Sequence, residues 1–173
     1  MLRNVGVSMS NSLVIREACS REARLLSALA LRSKAHWGYS PEFLDACRAE
    51  LTVDRSRFGR PDYACFVAVE SDSILGFYSL KRVSARVWEL DALFVEPARI
   101  GTGVGRSLIE HAVCTLSKRG ATRLIIQGDP NATDFYRAAG AKQTGTRESG
   151  SIPGRLLPLF EIDIECGQED DTG

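Results

Sequence analysis

The sequence has only two histidines, His36 and His111, among its 173 residues. Because histidine is the commonest protein ligand for transition metals, a histidine-based metal site is not expected, and we expect no metal at all. The two nearest of the five cysteines, Cys47 and Cys65, are 18 positions apart, so there is no C-x-x-C pair. An odd number of cysteines in a chain of this size favours reduced thiols and a cytoplasmic location.

An excess of charge of either sign is also absent, since 22 Lys and Arg balance 22 Asp and Glu. Proteins that bind nucleic acids or membrane surfaces usually carry a positive excess, so neither partner is expected. No apolar run approaches the roughly 20 residues of a membrane-spanning helix. Residues 1–11 also lack the apolar segment of a secretion signal.

The length and composition fit one domain. Apolar residues make up 44% of the chain and charged residues 25%, which is enough to build a hydrophobic core. We expect a flexible N-terminal arm over residues 1–12, a single domain over 13–166 and an acidic disordered tail over 167–173.

The order of secondary-structure elements can be predicted from hydrophobic periodicity and turn residues. Short apolar runs predict strands at 13–17, 64–69, 74–83, 86–95, 123–127, 142–148 and 157–164. Apolar residues at helical spacing predict helices over 21–36, with Ser20 as cap, 41–51, 104–119 and 131–139. A strand–helix–strand unit after three hairpin-like strands implies one parallel pair. The fold class is therefore α/β of the α+β type, with a mixed, mostly antiparallel sheet and helices on both faces.

A glycine-rich turn separates the third central strand from the long helix. Gly101, Gly103 and Gly105 stand at alternate positions, which lets the backbone approach a ligand closely. The first N–H groups of a helix have no internal partner and carry partial positive charge, so the turn suits a pyrophosphate. Its spacing fits neither a Walker A loop nor the G-x-G-x-x-G dinucleotide fingerprint. The alternative is a tight turn without a ligand.

Two motifs together resemble the signatures of the GNAT superfamily of N-acetyltransferases. The first is the strand end Leu93-Phe94-Val95, then Pro97, then Gly101-x-Gly103-x-Gly105 before an amphipathic helix. The second, Asn131 to Gly140, is similar to the family's Asn, Phe-Tyr and Gly pattern. Ile100 stands where the family usually has Gln or Arg, and Arg99 precedes it. The order of elements also matches over residues 13–165.

The resemblance implies acetyl-coenzyme A as co-substrate, direct transfer in a ternary complex, and a homodimer. Main-chain groups of the β-strand end, the glycine turn and the second motif would bind the cofactor. The expected cofactor-binding residues are Leu93, Phe94, Val95, Ile100, Gly101, Thr102, Gly103, Val104, Gly105, Arg106, Ser107, Asn131 and Tyr136. Asn131 would bond to the pantetheine amides, cap the following helix, or do both.

Three residues are candidates for the chemistry. The resemblance places Tyr136 near the sulfur, where a phenol can donate a proton to the departing thiolate, although packing against the sheet is the alternative. Alternation along the strand puts Glu89 and Asp91 on one face and Leu90 and Ala92 on the other. Either carboxylate could take the amine's proton or bind the ammonium, with Glu89 preferred by similarity. The alternative is an ion pair with an arginine or a solvated face.

The resemblance implies an acceptor site bordered by two loops, the one between the first two helices and the one in the last hairpin. Trp37 and Tyr39 could stack on a cationic ligand, or belong to the core or a dimer contact. Arg155 could bind a substrate carboxylate, or lie free at the surface. The predicted function is acetylation of a primary amine of a small molecule. The alternatives are acetylation of a protein amine and a non-catalytic acyl-CoA-binding regulatory module.

Overall fold

The computed structural model describes residues 12–165, so the predicted tail and all but one residue of the predicted arm lie outside the described part. The strands within it are β1 (Val14–Glu17), β2 (Tyr63–Glu70), β3 (Ser73–Arg82), β4 (Val87–Val95), β5 (Arg123–Gln127), β6 (Lys142–Glu148) and β7 (Leu156–Asp163). The α-helices are α1 (Ala23–Ala35), α2 (Pro41–Leu51), α3 (Val104–Lys118) and α4 (Thr133–Ala138).

The helix starts follow from local capping chemistry. The Ser40 hydroxyl accepts a hydrogen bond from the Phe43 amide at 3.2 Å, and proline follows at the first helical position of α2, as predicted. Ser20 does not cap α1. It lies in a 3₁₀ turn that begins after Cys19, whose amide donates to the Glu22 carboxylate at 2.8 Å. The helix α1 therefore begins later than predicted.

The strands form one sheet in the order β1-β2-β3-β4-β5-β7-β6. The pair β4–β5 is parallel and the other neighbouring pairs are antiparallel, which confirms the predicted mixed sheet. Each face of the sheet carries a hydrophobic core. On one face α3 packs through Leu108, Ile109, Ala112 and Leu116. On the other, α1 and α2 pack through Leu26, Leu29, Ala30, Cys47 and Leu51.

A β-bulge interrupts β4 at Asp91. Leu80 pairs with Leu90, but the next pair joins Ser79 to Ala92, so Asp91 has no partner in the register. The prediction that Leu90 and Ala92 share a face is therefore wrong: Leu90 lies in the core under α3, and Ala92 packs on the side of α1 and α2. A bulge adds one residue and bends the strand, which reverses the alternation beyond it.

The strands β4 and β5 pair over only part of their length. Their register runs from Val87 with Arg123 to Leu90 with Ile126. Beyond the bulge, residues 91–95 have no strand on their β5 side within the described part of the chain. This opening between two parallel strands exposes main-chain groups of β4 at the centre of the sheet.

Candidate active site

The glycine turn joins β4 to α3 through backbone conformations that favour glycine. Gly101 and Gly103 have φ values of 80° and 94°, in the left-handed region. The Ser107 amide donates to the Gly103 carbonyl at 3.0 Å and closes the first turn of α3. The amides before it have no intrahelical acceptor, so they carry partial positive charge that would attract an anion.

The cavity beside this turn has a volume of about 320 Å³ and is called the glycine-turn cavity below. Its lining residues are Ser33, Leu93, Val95, Arg99, Ile100, Gly101, Gly103, Gly105, Arg106, Ala132, Phe135 and Tyr136. Several predicted cofactor residues are thus brought together. Others lie elsewhere: Val104 is buried in the core, the Thr102 hydroxyl donates to the Arg99 carbonyl at 2.6 Å, and Phe94 packs on the opposite face.

A second cavity, the carboxylate cleft, has a volume of about 530 Å³ and lies on the side of α1 and α2. Its charged lining residues are Lys34, Glu50, Asp54, Arg57, Lys81, Glu89, Asp91 and Asp129. Carboxylates thus outnumber cations, which favours a positively charged ligand. Ser33, Leu93, Ala132 and Tyr136 line both cavities, so the two spaces meet at this wall.

Tyr136 lies at the junction of the two cavities. Its side chain is 7% exposed and packs against the rings of Phe135 and Phe160, with centroids 5.1 and 5.6 Å away. Its hydroxyl bonds to no other described residue. Burial, and then the negative charge of Asp129, raise the pKa of Tyr136 above its ordinary value. The phenol therefore carries its proton at physiological pH.

The carboxylates Glu89 and Asp91 both face the carboxylate cleft, and both are ion-paired. Arg147 lies 2.9 Å from Glu89, and Arg57 lies 2.7 Å from Asp91. Lys81 bridges them, at 3.7 Å from Glu89 and 3.2 Å from Asp91. The predicted alternative, an ion pair with an arginine, is thus present together with a position in the cleft.

The residues predicted to contact the acceptor separate into two groups. Trp37 lines the carboxylate cleft and is 43% exposed. Tyr39 and Arg155 lie outside its lining and bond to each other, with Arg155 Nη2 2.9 Å from the Tyr39 hydroxyl. The Tyr39 ring stacks on Phe43 with centroids 4.3 Å apart, and the Arg155 guanidinium lies 4.8 Å from the Phe43 centroid. Arg155 is therefore not a free surface arginine.

Asn131 does not cap the segment before α4. The cap is Asp129, whose carboxylate accepts a hydrogen bond from the backbone N–H of Asn131 at 2.9 Å. A 3₁₀ turn over Pro130–Ala132 begins there. The Asn131 side chain instead donates to the Tyr39 hydroxyl at 3.1 Å and to Asp129 at 3.0 Å.

Sequence reasoning missed Lys34 and Asp129, which form an ion pair of 2.6 Å in the wall of the carboxylate cleft. Each has a signal in the sequence. Lys34 continues the buried stripe of α1 at i+4 from Ala30, where a lysine needs a partner. Asp129 precedes a proline soon after an apolar strand, a pattern typical of an N-cap.

Cys65 does not suit nucleophilic chemistry. Cys65 is buried in the hydrophobic core on the side of α1 and α2, and burial raises the pKa of its thiol to about 12. The described cysteines are all free thiols. Residues 12–165 contain no group of three or more His, Cys, Asp or Glu side chains arranged for a metal ion. None of the described helices has the length and apolar character needed to cross a membrane.

Comparison with known proteins decides the family. The model of the acetyltransferase (GNAT) family matches residues 29–141, which include the glycine turn and α4. The chain belongs to the GNAT family. Its GNAT relatives include the peptidyl-lysine N-acetyltransferase YjaB of Escherichia coli, 33% identical over 151 residues, or 86% of this chain and 94% of the relative. YjaB of Salmonella typhimurium is 35% identical over 119 residues, or 68% and 76% of the two chains.

Solved GNAT structures share the fold. The PaiA N-acetyltransferase of Thermoplasma acidophilum, crystallised with coenzyme A, superposes with a TM-score of 0.73 at 20% identity, covering 88% of this chain and 99% of that one. The backbone of the glycine turn leaves room for a pyrophosphate. A Cβ added at Gly101 or Gly103 would meet nothing within 4 Å, so the backbone is open on that side, whereas one at Gly105 would lie 3.2 Å from Phe135.

Proposed function

We propose that this GNAT N-acetyltransferase transfers an acetyl group from acetyl-CoA to a primary amine by direct attack in a ternary complex. One observation carries the proposal: the glycine-turn cavity and the carboxylate cleft meet at Leu93 and Tyr136. A cofactor in the first and an amine in the second would have their reacting ends at this wall. Holding two reactants in line can lower the barrier by roughly 7–11 kcal/mol.

The residues of the glycine-turn cavity would hold acetyl-CoA, which supplies an activated acetyl thioester. The turn amides and Arg106 suit its phosphates. Leu93 and Val95 offer main-chain groups on the open side of β4, where the amides of the pantetheine arm can pair as a strand would. Asn131 lines neither cavity, and its Nδ2 is held by Tyr39 and Asp129, so its Oδ1 is the atom that would accept a hydrogen bond from the same arm.

The residues of the carboxylate cleft would prepare the amine. A free alkylamine has a pKa of about 10, so it must lose a proton before attack. Glu89 and Asp91 attract the ammonium and can pass its proton to water. As the new C–N bond forms and the C–S bond breaks, Tyr136 gives its proton to the sulfur.

The acceptor is proposed to be a lysine side chain of a protein or peptide. The two YjaB relatives, which carry that activity in their names, support this choice. Exposed Trp37 in the cleft lining gives the alkyl stem of a lysine an apolar surface. A small-molecule amine, the acceptor predicted from the sequence, is the second candidate, because about 530 Å³ is a volume typical of small-ligand sites. A homodimer and a cytoplasmic location remain predictions.

The test is release of free thiol from acetyl-CoA with a panel of acceptors. The panel contains a lysine peptide, the same peptide with arginine in place of lysine, and a series of small primary amines. Thiol release with the lysine peptide, and not with the arginine peptide, supports the proposal. Release with small amines alone supports the second candidate. Calorimetric binding of acetyl-CoA with no release above the acceptor-free control would leave the binding-module alternative.

A further inference from the structure

Five polar side chains from distant parts of the chain converge beside the two cavities. We call them the polar clamp: Lys34, Tyr39, Asp129, Asn131 and Arg155. Asp129 is the centre. Its carboxylate accepts from Lys34 Nζ at 2.6 Å, from the Tyr39 hydroxyl at 2.8 Å and from Asn131 Nδ2 at 3.0 Å. Arg155 Nη2 lies 4.0 Å from Asp129 and 2.9 Å from the Tyr39 hydroxyl.

The charged groups of the polar clamp are partly buried and are paired with one another. Lys34 is 8% exposed, and its ammonium also lies 5.1 Å from the centroid of the Tyr39 ring. Burial alone would raise the pKa of Asp129, but the hydrogen bonds from Lys34 and the Asn131 amide outweigh it, so that pKa lies below its ordinary value. Asp129 is therefore ionised at neutral pH and holds its partners through charge-assisted bonds.

The position of the clamp relates it to both cavities. Lys34 lies on α1 and Tyr39 on the connection from α1 to α2, on the side of the carboxylate cleft. Asp129 caps the 3₁₀ turn that leads into α4, and α4 carries Tyr136 into the wall shared by the two cavities. The clamp is thus a direct bridge between the α1–α2 connection and the segment that places the phenol.

We propose that the polar clamp is a positioning device, in which Asp129, held by Lys34 and Tyr39, fixes Asn131 and Tyr136 for acetyl transfer. The proposal rests on the proposed function, because the group it positions is the proton donor of that reaction. Asp129 and Tyr39 act through α4 and not on the reacting atoms. Loosening the clamp should then lower turnover more than cofactor affinity, since an error of about 1 Å in placement can cost about 100-fold in rate.

Two variants and a matched control test this. Tyr39→Phe removes one hydroxyl, keeps the stacking on Phe43, and should fold. Asp129→Asn removes the charge at the centre of the clamp. The control is Tyr78→Phe, the same chemical change at a hydroxyl that bonds to His111 at 2.8 Å, in the core on the face that packs α3.

Each variant is measured in three ways, two of which do not depend on turnover. Hydrogen–deuterium exchange of residues 128–138 reports the order of the segment before and in α4. Thiol release gives kcat and the acceptor KM, and calorimetry gives the Kd for acetyl-CoA. We expect Tyr39→Phe and Asp129→Asn to speed exchange of 128–138 several-fold and to lower kcat about 10- to 100-fold. The Kd for acetyl-CoA should change less than kcat does, because Asn131 is only one of the groups proposed to hold the cofactor. Tyr78→Phe should leave the exchange rate, kcat and Kd near those of the unmodified protein.

The other outcomes overturn the proposal. Faster exchange with unchanged kcat would make the clamp structural only, and a lower kcat with unchanged exchange would mean that Tyr39 acts directly on the acceptor. Equal losses in kcat and in acetyl-CoA affinity would also contradict it. If the unmodified protein acetylates no amine, the proposed function fails, and the positioning role fails with it. The exchange data would still show whether the clamp orders α4.

Discussion

Tyr136 joins a buried ring to a hydroxyl that bonds to no other described residue, at the wall where both cavities meet. A phenol that keeps its proton at neutral pH is suited to donate to a thiolate, whereas the carboxylates opposite are already ion-paired. Glu89 has Arg147 and Lys81 as partners and Asp91 has Arg57 and Lys81. At the scale of single residues, Tyr136 is therefore the proposed proton donor, because no other described residue bonds to its hydroxyl.

Replacing Tyr136 by phenylalanine should lower kcat by about 10²- to 10⁴-fold, the range typical of a general acid. The Kd for acetyl-CoA should stay nearly unchanged, because the ring and its packing are kept. Thiol-release kinetics and calorimetry measure the two quantities. Equal losses in turnover and affinity would contradict the role as an acid.

His111 makes the stability of the fold depend on pH. Burial, and then the charge of Lys118, lower its pKa, and its Nδ1 lies 2.8 Å from the Tyr78 hydroxyl. The folded protein therefore favours the neutral imidazole more than the unfolded chain does. Its contribution is fully present above the unfolded pKa of about 6.5 and is lost as pH falls through that value toward the lower folded pKa.

Urea unfolding at pH 7.5 and 5.5 tests this, with His111→Gln as the comparison. We expect the free energy of unfolding to fall between these pH values in the unmodified protein, and to fall less in the variant. An equal fall in both proteins would assign the pH dependence to other groups.

At the scale of elements, the centre of the sheet depends on close approach between β3 and β4. A Cβ added at Gly76 in β3 would lie 2.8 Å from the Phe94 carbonyl oxygen and 3.1 Å from Leu108 Cδ1. The first neighbour is backbone and cannot turn away. Gly145 in the edge strand β6 has nothing within 4 Å of the same position.

Gly76→Ala should therefore lower the free energy of unfolding by about 1–3 kcal/mol, as overpacking in a core does. Gly145→Ala should change it by less than about 0.5 kcal/mol, the usual limit for a surface site. Urea denaturation of both variants gives the comparison, and similar values for the two would refute the account of β3–β4 packing.

Elements with a clear period were predicted well. The bounds of β5 and β6 agree with the sequence prediction, because turn residues enclose both strands. The position of the bulge at Asp91 was not predicted from the sequence. The register of β4 depends on its pairing with β3, and no local sequence pattern indicates that register. The same holds for the late start of α1, where the Glu22 side chain reaches back to Cys19.

At the scale of the whole molecule, the site depends on contacts that sequence patterns do not reveal. The glycine turn and the Phe-Tyr segment were found from the sequence because each is a compact motif. The ion pair between Lys34 and Asp129 joins positions far apart in the chain, so only the fold brings it into the carboxylate cleft.

Binding of acetyl-CoA should stabilise the entire fold. At a free concentration of 100 times Kd the gain is about 2.7 kcal/mol, which for a chain of this size raises the midpoint of thermal unfolding by roughly 5–10 °C. Gly105→Val should remove most of this shift, because even a Cβ there would lie 3.2 Å from Phe135 in the cavity lining. Differential scanning fluorimetry measures it, and a full shift in the variant would contradict the assignment of the cavity.

The central claim is that an acetyl group passes from acetyl-CoA directly to an amine in the carboxylate cleft. The most direct test is a single-turnover reaction of stoichiometric protein, acetyl-CoA with a carbon-13-labelled acetyl group, and a lysine peptide. The account predicts a labelled amide on the lysine Nζ and one free thiol for each amide formed. Bound acetyl-CoA with no labelled amide and no thiol above the acceptor-free control, for the peptide and for small amines alike, would contradict it.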